Sequence, residues 1–303
     1  MQDYVKNNPV ILGLRRIRDL TPEQVADLIE GALAKGIHYF DIADIYSGGQ
    51  CESNLGAALK VKPYLREKRF IQTKCGIVRK PGEGTVRDLS KKHILEAVDA
   101  SLNRRGLTYV DSLLLHRPDV FRNNEEIHAA FKQLYEEGKV KHFGVSNRDT
   151  EIIDYLKDGS PVPIEFNQIQ VSLGQPAILS QIFNTNNPDQ TPLLSDHLFF
   201  YRKHHNRALQ CWSPYQYGFF NGSIFTNKHR KPTQDVLSRL AEKYHTSPCA
   251  IATAFLSRLG GNVQIVTGSV SLDHIQQTID GTKIKLTRAE WYELYCSTGS
   301  ILP

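Results

Sequence analysis

The chain has 303 residues, of which 40% are hydrophobic and 23% are charged, and its formal net charge at pH 7 is +5. This composition is ordinary for a globular protein and argues against a disordered or fibrous chain. The lysines and arginines are scattered, without a basic stripe of interleaved aromatic residues, which argues against nucleic-acid binding but remains compatible with a small anionic ligand.

The sequence predicts no membrane segment, disulfide framework or metal site. No uninterrupted apolar stretch approaches about 18 residues, the length of a membrane span, and the hydrophilic start MQDYVKNNPV has no secretory signal. The five cysteines form neither a Cys-x-x-Cys pair nor a Cys/His cluster with zinc spacing, and their number is odd. We therefore expect a cytoplasmic protein with reduced thiols.

Short β-rich segments alternate with longer helical patterns along the chain. The helical patterns have apolar residues at steps of three and four positions, as at Val25, Leu28 and Ile29. Capping-box signatures at residues 21–24 and 287–290 mark the starts of two helices. In chain order, strands are predicted at residues 10–14, 38–43, 69–75, 109–116, 142–147, 165–171, 209–213 and 264–268.

Eight strand–helix units without a break in composition favour an α/β fold, a (β/α)8 TIM barrel formed by a single domain over residues 1–303. A doubly wound sheet is the alternative, but no GxGxxG motif follows any predicted strand. Several loops from strand to helix are long, at residues 76–90, 117–124, 172–194 and 214–232. In a barrel these loops lie at the carboxyl-terminal face, where we expect the active site.

Four polar side chains lie at or just after the ends of three successive predicted strands. They are Asp41 and Tyr46 in HYFDIADIY, Lys74 in RFIQTKC and His116 in SLLLHRPD. If the strands are neighbours, these side chains converge at one mouth of the barrel. An ammonium lowers the pKa of an adjacent phenol, a histidine orients the hydroxyl, and a carboxylate neutralises a lysine that is too costly to bury alone. The set therefore predicts a tyrosine that donates a proton.

The sequence resembles the aldo-keto reductases over nearly its whole length, and most closely a bacterial oxidoreductase subgroup. The motifs that carry the resemblance are FDIADIY followed by Glu52, TKCG at 73–76, LLLHRPD at 113–119, GKVKHFGVSN at 138–147, FNQIQVS at 166–172, CWSP at 211–214 and VTGS at 266–269. Several motifs at matching separations argue against a chance similarity. The resemblance implies a barrel enzyme that uses NADP(H) to reduce small aldehydes and ketones.

The resemblance also implies roles for individual residues. Its catalytic tetrad matches Asp41, Tyr46, Lys74 and His116. Its nicotinamide site matches Ser146, Asn147 and Gln168 at the carboxamide, Trp212 at the ring face and Ser213 along the pyrophosphate. The chemistry agrees, because hydroxyl and amide groups can recognise an amide edge and an indole offers a large apolar face.

The choice between NADP and NAD rests on positions near the last predicted strand. Gly268 and Ser269 lead into a helix and suit a phosphate bound by backbone N–H groups. His274 stands where NADP-preferring relatives carry an arginine, and Gly268 stands where many carry a lysine. A neutral histidine binds phosphate less firmly than a guanidinium does. The resemblance implies NADPH as the cofactor, with NAD as the alternative.

Two other functions are compatible with these residues. The chain could be a cofactor-binding regulatory subunit that senses redox state with negligible turnover, although an intact tetrad disfavours this. Lys74 could instead form a Schiff base in a lyase or aldolase. The pairing of Lys74 with Asp41 and the nearby Tyr46 suits proton donation better.

Overall fold

The structure is a computed structural model that describes residues 2–67, 69–80, 82, 84–183, 198–217 and 222–302. Its strands are β1 (Val10–Gly13), β2 (Tyr39–Asp41), β3 (Phe70–Cys75), β4 (Ile77–Lys80), β5 (Gly84–Arg87), β6 (Val110–Leu115), β7 (Val140–Ser146), β8 (Ile164–Gln170), β9 (Ala208–Trp212) and β10 (Val263–Thr267). Its helices are α1 (Gln2–Asn7), α2 (Pro22–Ala34), α3 (Gln50–Val61), α4 (Lys91–Arg105), α5 (Asn124–Glu136), α6 (Thr150–Lys157), α7 (Ala177–Phe183), α8 (Leu198–His204), α9 (Lys231–Lys243), α10 (Pro248–Ser257), α11 (Leu272–Gly281) and α12 (Arg288–Ser297).

Eight of the described strands form a closed barrel in the order β1-β10-β9-β8-β7-β6-β3-β2. With helices alternating along the chain, this is the (β/α)8 architecture, so the predicted fold is confirmed and the doubly wound sheet is excluded. Each barrel strand overlaps its predicted position. Strands such as β3 and β6 are buried along their whole length, although β3 includes Gln72, Thr73 and Lys74 and β6 includes Asp111 and Ser112 among their buried residues.

A two-stranded antiparallel hairpin, β4 and β5, lies where the sequence predicted only a long loop. Ile77 pairs with Arg87 at its base, and Lys80 pairs with Gly84 near its tip. Gly76 separates the hairpin from β3 and has a φ of +100°, a conformation that favours glycine. The hairpin therefore begins immediately after the strand that carries Lys74.

The long predicted loops at 172–194 and 214–232 are described in part. Helix α7 lies within the loop predicted at 172–194, and isolated bridges pair Ser172 with Gln175 and Gln216 with Ser223. Residues 184–197 and 218–221 lie outside the described residues.

The contacts of the chain divide it into two compact units. The N-terminal unit comprises Ile11–Gln168 and Gly268–Leu272, and the C-terminal unit comprises Met1–Val10, Ile169–Thr267 and Asp273–Pro303. The single-domain organisation stays a prediction.

The N-terminal unit contains the first predicted capping box. The Thr21 side chain accepts a hydrogen bond from the Gln24 amide at 3.3 Å, and the Gln24 side chain accepts one from the Thr21 amide at 2.9 Å. This exchange satisfies two backbone donors at the start of α2.

The C-terminal unit is built on β9 and β10 and on an aromatic stack. Trp291 on α12 stacks on Phe255, with ring centroids 4.7 Å apart, and its indole nitrogen donates to the Phe255 carbonyl at 2.9 Å. The second predicted capping box is present at Thr287 and Glu290. These contacts anchor α12 against α10.

Two further observations bear on the sequence predictions. All five cysteines have free thiols. Among the described residues, no helix combines the length and the apolar character that crossing a bilayer requires.

Candidate active site

Lys74 lies at the centre of the predicted tetrad and is fully buried. Its ammonium donates to Asp41 Oδ2 at 2.6 Å, to the Ile42 carbonyl at 3.0 Å and to the Tyr46 hydroxyl at 3.3 Å. The side chains meet because β2 and β3 are parallel neighbours, with Asp41 opposite Gln72. The structure therefore joins Asp41, Lys74 and Tyr46 by direct hydrogen bonds.

His116 follows the next strand of the barrel, β6. Its ring lies edge-on to the Tyr46 ring, with centroids 5.9 Å apart, and its amide donates to the Cys75 carbonyl at 2.9 Å. The Nδ1 atom of His116 is buried and has no hydrogen-bond partner among the described residues. A buried ring nitrogen in this state is suited to a polar atom of a ligand.

Burial and neighbouring charges set the protonation of the tetrad. Burial acts to lower the pKa of Lys74, but Asp41 and Tyr46 together outweigh it and raise that pKa. Burial raises the pKa of Tyr46, although Lys74 opposes the rise. Burial and Lys74 hold the pKa of His116 well below its usual value. At neutral pH the site therefore holds an ammonium, a protonated phenol and a neutral imidazole.

Two glutamines that donate to Asp41 belong to the same network. Gln72 Nε2 donates to Asp41 Oδ1 at 2.6 Å, and Gln168 Nε2 donates to the same oxygen at 3.0 Å. The side-chain oxygen of Gln72 accepts from Tyr39 at 2.8 Å and from Ser112 at 3.0 Å. These bonds satisfy a carboxylate that burial would otherwise penalise. Gln72 was missed from the sequence, and Gln168 was assigned only to the cofactor.

The residues predicted to bind the nicotinamide carboxamide lie next to each other in the N-terminal unit. Ser146 pairs with Gln168 across β7 and β8, and its hydroxyl donates to the Gln168 carbonyl at 2.8 Å. The Asn147 side chain donates to the Ser146 hydroxyl at 2.7 Å. Asn147 has a φ of 56°, an uncommon conformation that is often found at functional sites. The hydroxyl and the two amides fit a carboxamide ligand, because each amide offers both donors and an acceptor.

Trp212 and Ser213 lie at the end of β9 in the C-terminal unit, as predicted from the sequence. The Trp212 side chain is partly buried, and Ser213 has a φ of 50°. The Ser213 carbonyl accepts a hydrogen bond from the Gln216 amide at 3.1 Å. Their contact with a cofactor stays a prediction.

The predicted phosphate-binding residues come just before α11 or in its first turn along the chain. Gly268 accepts a hydrogen bond at its carbonyl from the Arg16 guanidinium at 3.3 Å. The Ser269 hydroxyl accepts from the Ser271 amide at 3.1 Å, and His274 lies in the first turn of the helix. Gly268 and Ser269 therefore precede a helix start, although their role and that of His274 stay predictions.

The turn that carries Tyr46 runs into α3 through three residues with positive φ. These angles are 51° at Ser47, 65° at Gly48 and 91° at Gly49. The backbone conformation of Gly49 favours glycine, and a Cβ there would lie 2.9 Å from the Arg104 side chain and displace it. The direction of Tyr46 relative to α3 is therefore fixed by this turn.

A buried acid behind the turn links it to β3 and α4. Glu52 is fully buried, and its carboxylate accepts hydrogen bonds from Arg104 at 2.7 Å, from Ser101 at 2.9 Å and from Thr73 at 2.9 Å. The sequence match includes Glu52 but gives it no role. This cluster therefore holds Thr73, the residue directly before Lys74.

The burial of Asp44, just before the same turn, leads us to predict that the stability of the protein depends on pH. It is partly buried, its Oδ1 has no hydrogen-bond partner among the described residues, and burial together with Glu52 raises its pKa to about 7. The unfolded chain releases this proton at about pH 4, so the folded protein binds more protons between those values, and its free energy of unfolding falls as pH rises.

We expect Asp44→Asn to remove part of this fall, which amounts to at most about 1.4 kcal/mol per pH unit for one group. Urea unfolding at about pH 4.5 and about pH 7.5 measures the free-energy difference for both proteins. An identical pH dependence in the variant would contradict the raised pKa of Asp44.

A sequence model described as the Aldo/keto reductase family matches residues 9–295. The chain belongs to this family of oxidoreductases, as its sequence motifs indicated.

Two bacterial relatives match almost the whole chain. The 6-dehydroglucose reductase of Agrobacterium fabrum is 32% identical over an alignment of 303 positions that covers 97% of this chain and 95% of the relative. Oxidoreductase YdhF of Escherichia coli is 29% identical over 290 residues, covering 94% and 91%. Among solved structures, the Bombyx mori aldo-keto reductase in complex with NADP superimposes with a TM-score of 0.70 at 21% identity, covering 95% of this chain and 88% of its own, a likeness that shows the fold.

Proposed function

We propose that the chain reduces the carbonyl group of a small molecule to an alcohol with a nicotinamide cofactor, and that Tyr46 donates the proton. The observation that carries the proposal is the contact of one buried ammonium, Lys74, with the Tyr46 hydroxyl at 3.3 Å and the Asp41 carboxylate at 2.6 Å. A phenol in this setting can protonate an oxygen that gains negative charge during reduction.

Each residue of the tetrad has a separate task in this proposal. Tyr46 holds the proton at its hydroxyl, and Lys74 stabilises the phenolate that remains after the proton has moved. Asp41 keeps Lys74 charged and in place, while neutral His116 positions the carbonyl oxygen. The tetrad supplies the proton, and a bound nicotinamide supplies the hydride.

The residues that would hold the cofactor follow from the family match. They are Ser146, Asn147 and Gln168 at the carboxamide, Trp212 at the ring, Ser213 along the pyrophosphate, and Gly268, Ser269 and His274 at the adenosine phosphate. The mutual contacts of the first three and their fit to a carboxamide support this part of the proposal.

The direct test follows the loss of NADPH absorbance with a panel of small aldehydes and ketones, in which sugar aldehydes are included because one relative is named a 6-dehydroglucose reductase. We expect consumption that requires both the protein and the carbonyl compound. Tight dinucleotide binding without turnover would instead support a regulatory subunit.

Schiff-base chemistry at Lys74 is the second alternative. It requires an unprotonated amine, whereas Asp41 and Tyr46 raise the pKa of Lys74 against the effect of burial. Borohydride trapping of a substrate on Lys74, together with a failure to bind any dinucleotide, would overturn the proposed reduction.

For the cofactor, we propose NADPH in preference to NADH, limited by His274. His274→Arg should tighten NADPH relative to NADH by about tenfold, because a guanidinium binds the 2′-phosphate with charge-assisted hydrogen bonds. Quenching of protein fluorescence during cofactor titration measures both affinities, and Trp212→Phe identifies the responding indole. An unchanged affinity ratio would show that the 2′-phosphate is bound elsewhere.

A further inference from the structure

Three arginines follow the strands on either side of Tyr46. Arg15 comes shortly after β1, Arg87 ends the hairpin that follows β3, and Arg117 comes shortly after β6. We call these three residues the arginine set. The strands β1, β2, β3 and β6 are consecutive in the barrel, and Tyr46 follows β2. The arginine set therefore lies on both sides of the proposed proton donor.

Backbone contacts fix the position of Arg15. The amide of the preceding residue, Leu14, donates to the Asp41 carbonyl at 2.8 Å. The Arg15 carbonyl accepts a hydrogen bond from the Cys51 thiol at 3.4 Å. Arg15 is thus held between the strand that ends at Asp41 and the helix that follows Tyr46, with an exposed side chain.

Backbone contacts also fix the positions of the other two arginines. Arg87 pairs with Ile77, three residues beyond Lys74, and is exposed. Arg117 directly follows His116, is partly buried, and its carbonyl accepts a hydrogen bond from the Arg148 guanidinium at 2.6 Å. All three positions belong to the N-terminal unit that contains the tetrad.

The charges of the arginine set act on the proposed reacting groups. After burial and Lys74, all three arginines contribute to holding the pKa of His116 low. Arg15 also opposes the burial that raises the pKa of Tyr46. Three cations therefore follow the strands around Tyr46, and cations in such positions attract anionic substrates.

The acidic residues next to these arginines in the sequence serve the loop backbone. Asp119 accepts hydrogen bonds from the Leu89 amide at 3.1 Å and the Phe121 amide at 3.0 Å. Asp88 accepts one from the Ser90 amide at 2.9 Å. Both carboxylates thus bind backbone amides of the loops that follow β5 and β6.

We propose that the natural substrate is an anionic carbonyl compound, with a carboxylate or a similar oxyanion that the arginine set binds while the carbonyl group meets Tyr46. This inference rests on the proposed carbonyl reduction. Guanidinium groups suit the role, because they remain charged and bind oxyanions with paired hydrogen bonds.

The test compares aldehydes of the same shape that differ in charge, at two lengths. The pairs are 4-carboxybenzaldehyde with 4-formylbenzamide, and 4-oxobutanoate with 4-oxobutanamide. We expect kcat/KM with NADPH to be about tenfold higher for the carboxylate of at least one pair, and this preference to shrink as salt is added. Equal values in both pairs would overturn the anionic substrate and leave the reduction itself intact. A lack of turnover with all four aldehydes in a protein that reduces uncharged members of the wider panel would also overturn the anionic substrate, whereas a lack of turnover with the whole panel would refute the reduction itself.

Variants assign the preference to the arginine set. Arg117→Met should lower the carboxylate-to-amide ratio of kcat/KM about tenfold, and Arg87→Met, at an exposed position, provides a second variant if the first does not fold. Lys132→Met is the matched control. Lys132 is an exposed residue on α5 that lies 3.9 Å from Glu136, so the variant removes a positive charge far from the arginine positions in the chain and should leave the ratio unchanged. An unchanged ratio in both arginine variants with a raised Kd for NADPH would show that these cations bind cofactor phosphates, and would overturn the inference.

Discussion

Replacing Tyr46 by phenylalanine is expected to lower kcat for carbonyl reduction by about 10²- to 10⁴-fold, the usual contribution of a positioned proton donor. Only the hydroxyl that contacts Lys74 is lost, so the affinity for NADPH should stay close to that of the wild type. The rate of NADPH consumption measures kcat, and a fluorescence titration with NADPH measures the affinity.

Tyr135→Phe is the matched control, because it removes a hydroxyl from an exposed tyrosine on α5. It should leave both kcat and the cofactor affinity unchanged. Near-normal turnover in Tyr46→Phe would mean that another group donates the proton.

Asp41→Asn is expected to destabilise the protein by about 3 kcal/mol or more, because it leaves the buried Lys74 ammonium without its compensating charge. The Lys74–Asp41 pair has side-chain exposures of 0% and 3%. Asp235→Asn breaks a pair with Lys231 whose exposures are 60% and 73%, and it should cost less than about 1 kcal/mol. Urea unfolding of the two variants measures the difference.

The double variant Asp41→Asn/Lys74→Met separates charge from packing. It removes both charges, so we expect it to recover part of the stability lost in Asp41→Asn, while remaining inactive. Equal losses of stability in Asp41→Asn and Asp235→Asn would contradict the view that Lys74 depends on Asp41.

The barrel and the convergence of Asp41, Tyr46 and Lys74 could be predicted from the sequence. Barrel strands are buried on both faces, so each one contributes several apolar residues that separate it from the polar loops. Parallel neighbours bring their carboxyl ends to the same edge, and Asp41 and Lys74 are joined for this reason. These features depend on the pattern of apolar residues and on the order of the strands, and both can be inferred from a single sequence.

The hairpin and the role of Gln72 could not be predicted in the same way. Strands β4 and β5 have only four residues each, too few for a clear alternating pattern, and the sequence PGEG at 81–84 predicts only a loop. Gln72 had one available signal: it precedes Lys74 by two positions and therefore shares its face of β3. Its partners, Asp41 and Ser112, come from two other strands, and only the fold reveals them.

The pKa of Tyr46 illustrates a different limit. The sequence pairs a phenol with an ammonium, and the effect of Lys74 has the predicted direction. Burial, which depends on every element packed around the hydroxyl, outweighs it and raises the pKa. The sign of a competition between burial and charge requires the assembled structure.

The turn through Ser47, Gly48 and Gly49 has a consequence for how the substrate range of this scaffold can be altered. Its backbone conformation tolerates few changes in length or residue type. The position of the proton donor relative to α3 therefore has to be kept when the protein is altered. The β4–β5 hairpin is short and largely exposed, and of its residues only Arg87 is proposed to act near the tetrad, so it can be lengthened between Lys80 and Gly84 with little effect on the tetrad as long as Arg87 is kept. Directed evolution toward new carbonyl compounds should therefore accept insertions in the hairpin and reject them between residues 46 and 50.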